Sequence, residues 1–321
     1  MAATPISGTT TTYVTNASDT HREDLSDLLT NIDTKRCVFT DAIGKGSCSA
    51  LLHEWPEDEL ADPGENKQVD GADAEFTSVD MPTAPNNRVQ LSAKWFLIST
   101  LQSSVDKAGR KDEVAYQTEK KLKEIARDIE WGALNNVNAT AFSSGTAGEA
   151  KGFKGWMPTT HANHNDFDAT YLAGNDLTWD LFNAQLQTIH ESYGDPNLVL
   201  APGTQKRIIS SFDQAARLTI NADASSKKIT AAVDYIETDF GVVEVKMVYF
   251  LDPYNDGGTY YDWLPIVDTE GWKLCFLKGH GTKAEKLAKT GLAEKVQISS
   301  AWTLECRNIK RNGAFSKLSR A

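Results

Sequence analysis

The sequence predicts an α+β fold, and three stretches carry that prediction. Residues 110–134 are rich in Glu, Lys, Ala and Leu and contain no helix breaker before Gly132, which predicts one long helix. Residues 89–97 alternate strictly between apolar and polar side chains, which is typical of a strand. Residues 156–265 mix helical and strand patterns within short distances, so helices and strands share the chain rather than forming an all-α or all-β protein.

The N-terminal residues have no periodic pattern. Residues 1–20 are polar and rich in Thr, and such a segment cannot bury enough apolar surface to fold by itself. Residues 21–32 follow as a short amphipathic segment. Residues 43–50 contain Gly-Lys-Gly-Ser, but the upstream glycine of a phosphate-binding loop is missing, so the sequence favours a plain turn there.

An acidic excursion separates two predicted strands. Residues 54–80 hold ten acidic residues and one basic residue, Lys67, and therefore carry a net charge of −9. A strand is predicted before this stretch, in residues 49–55, and another after it, in residues 89–97. The two strands predict a long hairpin that projects from the body, and a loop of this length usually has an external role.

The long helix has one narrow apolar stripe. Leu122, Ile125, Ile129 and Ala133 recur at steps of three and four residues, while the other faces carry Lys, Arg, Glu and Asp at ion-pair spacing. A helix with so narrow a stripe packs on one side only. We interpret it as a strut to which the other elements attach.

A second α+β unit follows the strut. Thr178 is placed to cap a helix whose apolar face includes Phe182, Leu186, Ile189 and Tyr193. Strands are predicted at 197–200 and 241–250, and a helix at 202–212. The Asn-Asp-Gly-Gly sequence at 255–258 favours a hairpin turn.

Composition excludes several classes. The chain has 321 residues and a net charge of −11, so an overall basic nucleic-acid-binding surface is not expected. No run of about 18 apolar residues predicts a membrane span, and the N-terminus lacks the pattern of a signal peptide. The four cysteines show no paired spacing, which favours reduced and mostly buried thiols in a cytoplasmic compartment.

No catalytic motif is evident, and we predict no catalytic, cofactor-binding or metal-binding residues. The most metal-like cluster contains His161, His164, Asp166 and Asp168, whose side chains are of the types that bind zinc. No further His or Cys of fitting spacing lies nearby, so a solvated polar loop is the favoured interpretation. The eight tryptophans are scattered along an acidic chain and are expected to be core and interface anchors.

Five of these segments, in this order and spacing, resemble a known family. The segments are HREDLSDLL, GKG followed by HEW and DEL, GRKDEVAYQ with KKLKEIARDIE, GVVEV, and LAKTG with TLECRN. Together they resemble the major capsid proteins of tailed bacteriophages that adopt the Hong Kong 97-type capsid fold. The resemblance runs from about His21 to Asn308, which is nearly the whole chain.

The resemblance implies a domain organisation that matches the units above. It implies an N-terminal arm at 1–47, an extended loop (the acidic β-hairpin) at 48–99, and a peripheral domain with the long spine helix at 100–155. An axial domain would occupy 156–265. The peripheral domain would be completed by C-terminal strands and a basic tail at 266–321.

The resemblance also implies the function and the partners. The chain is expected to be a non-enzymatic subunit that assembles with itself, as pentamers and hexamers, into an icosahedral shell enclosing double-stranded phage DNA. Portal, scaffolding and decoration proteins are further candidate partners, DNA contact should be non-specific, and no membrane is involved. The expected location is the virion, after assembly in the host cytoplasm. Two alternatives are an encapsulin-like nanocompartment protein with enzyme cargo and, less favoured, a metal-dependent enzyme centred on His161 and His164.

Charge complementarity predicts which residues meet between subunits. The acidic loop should face basic residues of a neighbour, because it would repel an acidic surface. The predicted contact residues are three acids of the loop, four basic residues of the helix and one of the C-terminal tail: Glu57, Asp58, Glu59, Lys120, Lys121, Lys123, Arg127 and Arg311.

Overall fold

Two β-sheets and one long helix organise the chain. The computed structural model describes residues 37–61, 63–71, 73–74, 76, 78, 81–104, 112–166, 176–212, 234–256, 259–289 and 291–320. The predicted amphipathic segment at 21–32 and most of the predicted N-terminal arm therefore lie outside the described residues. Helices and strands occur together along the chain, as the α+β prediction requires.

The described part of the chain contains the following elements. The helices are α1 (Val38–Ala42), α2 (Thr100–Ser104), α3 (Glu113–Asn135), α4 (Phe153–Trp156), α5 (Trp179–Glu191) and α6 (Gly203–Ser211). The strands are β1 (Gly44–Cys48), β2 (Leu52–Glu54), β3 (Asn86–Arg88), β4 (Gln90–Ser99), β5 (His164–Asp166), β6 (Leu198–Ala201), β7 (Tyr235–Thr238), β8 (Gly241–Met247), β9 (Tyr254–Asp256), β10 (Thr259–Val267), β11 (Trp272–Leu277), β12 (Lys283–Lys286), β13 (Ala293–Cys306) and β14 (Gly313–Leu318).

Helix α3 is the predicted strut, with both ends moved. It begins at Glu113 because the Asp112 carboxylate caps it, accepting hydrogen bonds from the N–H groups of Val114 and Ala115 at 2.9 and 3.2 Å. It continues through Gly132 to Asn135, so Gly132 does not end the helix. A Cβ atom at Gly132 would lie 3.0 Å from the Trp302 ring, and the glycine thus allows close packing. Most of the predicted stripe is buried, including Ile125 and Ile129.

The first sheet has five strands around the long β13. The order is β1-β11-β13-β12, and β4 pairs antiparallel with the other edge of β13. Strand β1 pairs in parallel with β11, from Gly44 opposite Lys273 to Cys48 opposite Leu277. The turn expected at 43–50 is therefore wrong, because most of this segment is a strand. Residues 44–47, predicted as the end of a free arm, belong to the body of the fold.

The second sheet has seven strands in the order β5-β14-β10-β6-β8-β7, with β9 paired to β10. The Thr178 hydroxyl accepts from the Leu181 N–H, which confirms the predicted cap of α5. Asp256 lies opposite Thr259, which confirms the predicted hairpin. Tyr193 is exposed and follows the end of α5, so its predicted place on the apolar face is wrong.

The C-terminal segment corrects the predicted division of the chain. Residues 313–318 were expected to belong to a basic tail of the peripheral domain, but they form β14, which lies in the second sheet between β5 and β10. All six of its residues are buried, Lys317 among them. The burial follows from its position, since β14 is hydrogen-bonded on both edges and cannot serve as a solvated tail.

Aromatic rings form the centre of the core. Phe153 stacks on Trp272 with ring centroids 5.0 Å apart, and Phe39 and Trp263 pack edge-on against it at 6.2 and 5.7 Å. These rings come from α1, α4, β10 and β11, and so join elements of both sheets. The four cysteines are buried free thiols, as predicted.

A buried carboxylate joins α1 to α3. Oε1 of Glu130 accepts the Phe39 N–H at 2.7 Å, and Oε2 accepts the Thr40 N–H at 2.8 Å. These two donors belong to the first turn of α1, where a helix has no internal acceptors, and Cys37 supplies no side-chain cap. Burial raises the pKa of Glu130, although the bonds from Thr40 and Phe39 oppose that rise.

The Glu130 contact makes stability depend on pH. Because the pKa is raised on folding, the folded chain holds this proton more tightly than the unfolded chain, and stability is lost as the pH rises through the raised pKa. Glu130→Gln cannot titrate at this position. We therefore expect the unfolding free energy of wild type to fall relative to that of the variant as the pH rises from the ordinary pKa of Glu to the raised pKa of Glu130. Urea unfolding of the full chain at several pH values measures the difference.

The matched control is Glu119→Gln on the same helix. Glu119 is exposed, and the hydrogen bond from Lys123 lowers its pKa, so its small effect has the opposite sign. A stability difference between wild type and Glu130→Gln that stays constant with pH would contradict a titrating carboxyl at this position.

Candidate assembly surfaces

The side of β4 that faces α3 is largely polar. Lys94 Nζ lies 2.8 Å from Asp128 and 3.6 Å from Glu124 of the helix, and the hydrogen bond to Asp128 raises the pKa of Lys94. The Trp302 indole N–H donates to the Ser92 hydroxyl at 3.0 Å. The subunit therefore covers the Gln90, Ser92 and Lys94 side of the predicted alternation.

The apolar side of β4 is consequently exposed. Leu91, Trp95 and Leu97, which we call the β4 stripe, are 54, 72 and 61% exposed. Within the described residues β4 pairs with β13 alone, so its outer edge is also open to another chain. Contiguous exposed apolar side chains of this size mark interaction surfaces.

The extended loop begins and ends in a short ladder. Strands β2 and β3 pair antiparallel, from Leu52 opposite Arg88 to Glu54 opposite Asn86, and a bridge joins Glu57 to Thr83. This confirms a hairpin but corrects its second strand, because residues 90–99 pair with β13 instead. Asn87 anchors the return of the loop, as its buried amide donates to the carbonyls of Lys151 and Leu304.

Beyond this ladder the described part of the chain does not cover the loop. Every described side chain between 58 and 84 is exposed. Four of them are large and apolar, and Leu60 and Phe76 are 97 and 95% exposed, with Val69 and Met81 nearly as open. The loop thus presents apolar groups among its acids, and nothing in the described chain packs on them.

Two of the three acidic residues predicted to contact a neighbour, Glu57 and Glu59, have partners within the chain. The Glu57 carboxylate accepts from the Trp55 indole and from the Asn308 N–H, both at 3.0 Å. Glu59 forms an ion pair of 2.6 Å with Lys310. Asp58 is exposed and, among the described residues, accepts a hydrogen bond only from the adjacent Glu59 N–H, so it is the most available of the three predicted acids.

The predicted basic residues of α3 differ in availability. Lys121 pairs with Glu124 at 2.7 Å, and Lys123 pairs with Glu119 at 2.6 Å, both along the same helix. Arg127 lies over the Phe250 ring, 5.3 Å from its centroid. Lys120 is exposed, and it is the predicted basic residue most open to a neighbour.

Four of the C-terminal basic residues form ion pairs within the chain. Arg311 pairs with the buried Asp268 at 2.6 Å, and Arg320 pairs with the buried Asp262 at 2.6 Å. Arg307 and Lys310 pair with Glu305 and Glu59 at the same distance. The predicted basic tail is therefore not a free cationic surface.

The sequence favoured a solvated polar loop around His161 and His164, but both rings make hydrogen bonds within the chain and His164 lies in β5. The His161 Nδ1 atom accepts from the Asn163 N–H at 3.1 Å. The His164 ring lies 3.0 Å from the Met157 carbonyl and 2.9 Å from the Ser316 hydroxyl. Asp168 lies outside the described residues. Among those that are described, these histidines belong to no group of three ligands spaced for a metal ion.

A different group has that spacing, and no sequence pattern pointed to it. His53 of β2, Cys275 of β11 and Glu305 of β13 meet with their ligand atoms within 4.8 Å of one another. Burial, followed by the Glu305 contact, raises the pKa of Cys275 to about 12, so the thiol carries its proton and donates to Glu305. Sequence separation hides such a group, because the three residues come together only when β2, β11 and β13 assemble.

The chain matches a known family model and a curated relative. The model of the SU10 major capsid protein family matches residues 5–319. The major capsid protein of Escherichia phage Phieco32 is 34% identical over 93 residues, which are 29% of this chain and 26% of that protein. The aligned part thus spans about a quarter of that relative's length. None of the described helices is long and apolar enough to cross a membrane.

Solved structures with similar folds are shell proteins. The capsid protein of a native GTA particle shares 9% identity and a TM-score of 0.65, with 97% of this chain and 100% of that chain covered. The SrpI encapsulin from Synechococcus elongatus PCC 7942 shares 10% identity and a TM-score of 0.58, covering 96 and 94%. Both likenesses concern the fold alone. The family is shown by the family model, which is that of a major capsid protein. The chain therefore has the Hong Kong 97-type capsid fold and belongs to the SU10 major capsid protein family.

Proposed function

We propose that the chain is the shell-forming subunit of a phage capsid and that it assembles with itself into a closed icosahedral particle around double-stranded DNA. Family membership supports this function. The observation that carries it is the presence of two exposed apolar surfaces on one chain, the β4 stripe and the extended loop. In this proposal the protein is a structural component of the virion, assembles in the host cytoplasm, and performs no catalysis.

A second copy of the chain is the partner that fits both surfaces. The loop leaves the body beyond the bridge of Glu57 and Thr83 and carries apolar side chains that the described part of its own chain leaves exposed. The β4 stripe offers apolar area and an open strand edge on the same molecule. Two complementary patches at different places on one subunit make a head-to-tail contact, which closes into rings when the rotation allows. Pentamers and hexamers are such rings.

Charge gives the contact its direction in this proposal. We expect Asp58 and the acids farther along the loop to face basic side chains of a neighbour, with Lys120 as the most available predicted partner and Lys121, Lys123 and Arg127 near it. Glu57, Glu59 and Arg311 contribute indirectly, because their intrachain bonds hold the loop base and the C-terminal segment in place.

DNA contact is proposed to be weak and non-specific. Counterion release needs clustered Lys and Arg, and the C-terminal basic residues are paired with carboxylates of their own chain. The exposed part of the basic face of α3 is the remaining candidate for contact with DNA. Portal, scaffolding and decoration proteins remain candidate partners through the family resemblance.

An encapsulin-like nanocompartment is the second candidate, and the fold likeness to the SrpI encapsulin favours keeping it. The two candidates share the shell and differ in its contents. A metal-dependent enzyme centred on His161 and His164 has no such support, since the ring nitrogens given above already bind the chain.

Assembly is the first expected outcome. Purified full-length protein should form closed particles of megadalton mass, visible by electron microscopy and light scattering, because the uncovered surfaces need partners. Particles from infected cells should contain nucleic acid, whereas a nanocompartment would contain a protein cargo. Material that stays monomeric or dimeric under all assembly conditions would refute the shell function.

Trp95 tests the β4 stripe. Because Trp95 is mostly exposed in the subunit, Trp95→Ser should leave the unfolding free energy of the subunit nearly unchanged. It should weaken each subunit contact by about 2–4 kcal/mol, as expected for truncating a buried aromatic anchor. Trp95→Phe keeps an apolar ring and should assemble nearly normally. Equal assembly of the Ser variant and wild type would exclude the stripe from the contact.

The loop acids test the electrostatic part. Reversing Asp58, Asp70 and Asp73 together to Lys should slow assembly by more than about tenfold at low salt, while the corresponding Asn variant shows a smaller effect. Salt near 1 M should reduce the difference, because screening then acts over about 3 Å. All three acids are exposed, so the subunit should stay folded. Wild-type assembly rates for the Lys variant at low salt would show that these acids are only solvated.

A further inference from the structure

Three distant segments bring a histidine, a thiol and a carboxylate together at the base of the extended loop. The His53 Nε2 atom lies 3.1 Å from Glu305 Oε2. The Cys275 thiol donates to the same oxygen at 3.3 Å. The three ligand atoms all lie within 4.8 Å of one another. His53 belongs to the loop ladder, whereas Cys275 and Glu305 belong to the first sheet.

Two of the three separations, those of His53 and Cys275 from Glu305, are close to the separations in a tetrahedral zinc site. Zinc bonds of about 2.1 Å to nitrogen or oxygen and about 2.3 Å to sulfur imply ligand separations of about 3.4 Å for N to O and about 3.6 Å for S to O. The observed separations of 3.1 and 3.3 Å need only a small expansion. Imidazole, thiolate and carboxylate together suit Zn²⁺, whereas Ca²⁺ and Mg²⁺ prefer oxygen ligands alone.

The surroundings support a metal ion at this place. Arg307 donates to the other carboxylate oxygen of Glu305 at 2.6 Å, which orients the carboxylate and leaves Oε2 directed at His53 and Cys275. Gly46 gives the thiol its space, since a Cβ atom there would lie 2.7 Å from the sulfur. Cys275 and Glu305 are buried, while the half-buried His53 lies nearer to solvent and gives an ion a way in.

We propose that His53, Cys275 and Glu305 form a Zn²⁺ site that fastens the base of the extended loop to the first sheet. Binding replaces the thiol proton of Cys275, which is released to solvent, and a water molecule completes the tetrahedron. The ion would hold β2 against β11 and β13 and so limit the directions in which the loop leaves the body. This inference concerns the single subunit and does not depend on the proposed assembly.

Metal titration of the full-length subunit tests the site. Protein stripped with a chelator and kept reduced is titrated with Zn²⁺ and, separately, with Co²⁺ as a spectroscopic probe. Wild type should bind one Zn²⁺ per chain and show a thiolate-to-cobalt charge-transfer band with tetrahedral visible bands. Zinc should also raise the melting temperature. Cys275→Ser should lose the charge-transfer band, and His53→Gln should lower the zinc affinity by more than about tenfold.

Two matched variants control for other thiols and histidines. Cys37→Ser removes a buried thiol beside α1, and His190→Gln removes an exposed histidine of α5, so both should bind zinc as wild type does. Circular dichroism of the zinc-free proteins checks folding. His53 is partly exposed, so His53→Gln keeps the test valid if Cys275→Ser does not fold. Absence of stoichiometric binding in wild type, or equal binding by His53→Gln, would show that the three residues form only a hydrogen-bond network.

Discussion

The two hydrogen bonds from α1 to the Glu130 carboxylate hold the fold at the point where its parts meet. The carboxylate lies on α3, and α3 also packs against β4, β13 and α4. Near the C-terminal end of α3, Asn135 binds the backbone of Phe250 and Asp252, which lead into the second sheet. Both attachments thus lie within the last six residues of the helix. Buried polar groups of the long helix, and not only its apolar stripe, therefore fix the positions of α1 and of the segment at Phe250.

Strand β4 shows how one polypeptide can expose what its sequence pattern marks as apolar. Its polar side chains make specific bonds to α3 and β13, so the Leu91 and Trp95 side must point outward. The same holds for the extended loop, whose described large apolar side chains between 58 and 84 are at least 78% exposed. Exposed apolar area of this extent among the described residues marks an interaction surface. The polar contacts that fix which side of β4 faces outward therefore also bear on how the protein associates.

Sequence reasoning identified the elements whose signals are local. The long helix, the Thr178 cap and the hairpin at 255–258 each depend on residues close together in the chain, and each was confirmed. The alternation in residues 89–97 revealed a strand with two different faces, but alternation does not report which face the same chain covers. Other features depend on partners far away in the sequence. They are the position of β14, the bonds of α1 to Glu130, the bonds of Asn87 and the group at His53. The basic tail was misjudged for the same reason, since its carboxylate partners are buried acids elsewhere in the chain.

The parallel pairing of β1 with β11 has a mechanical consequence. The described chain begins at Cys37, α1 is then bonded to Glu130, and β1 runs along the edge of the first sheet for five paired residues. Tension applied from the N-terminal side first loads the two bonds to Glu130, and then pulls β1 lengthwise past β11. Lengthwise loading strains the hydrogen bonds of a strand together, whereas a pull across the sheet would break them one at a time. A neighbour that held the N-terminal segment could therefore transmit force into the sheet before β1 detached from it.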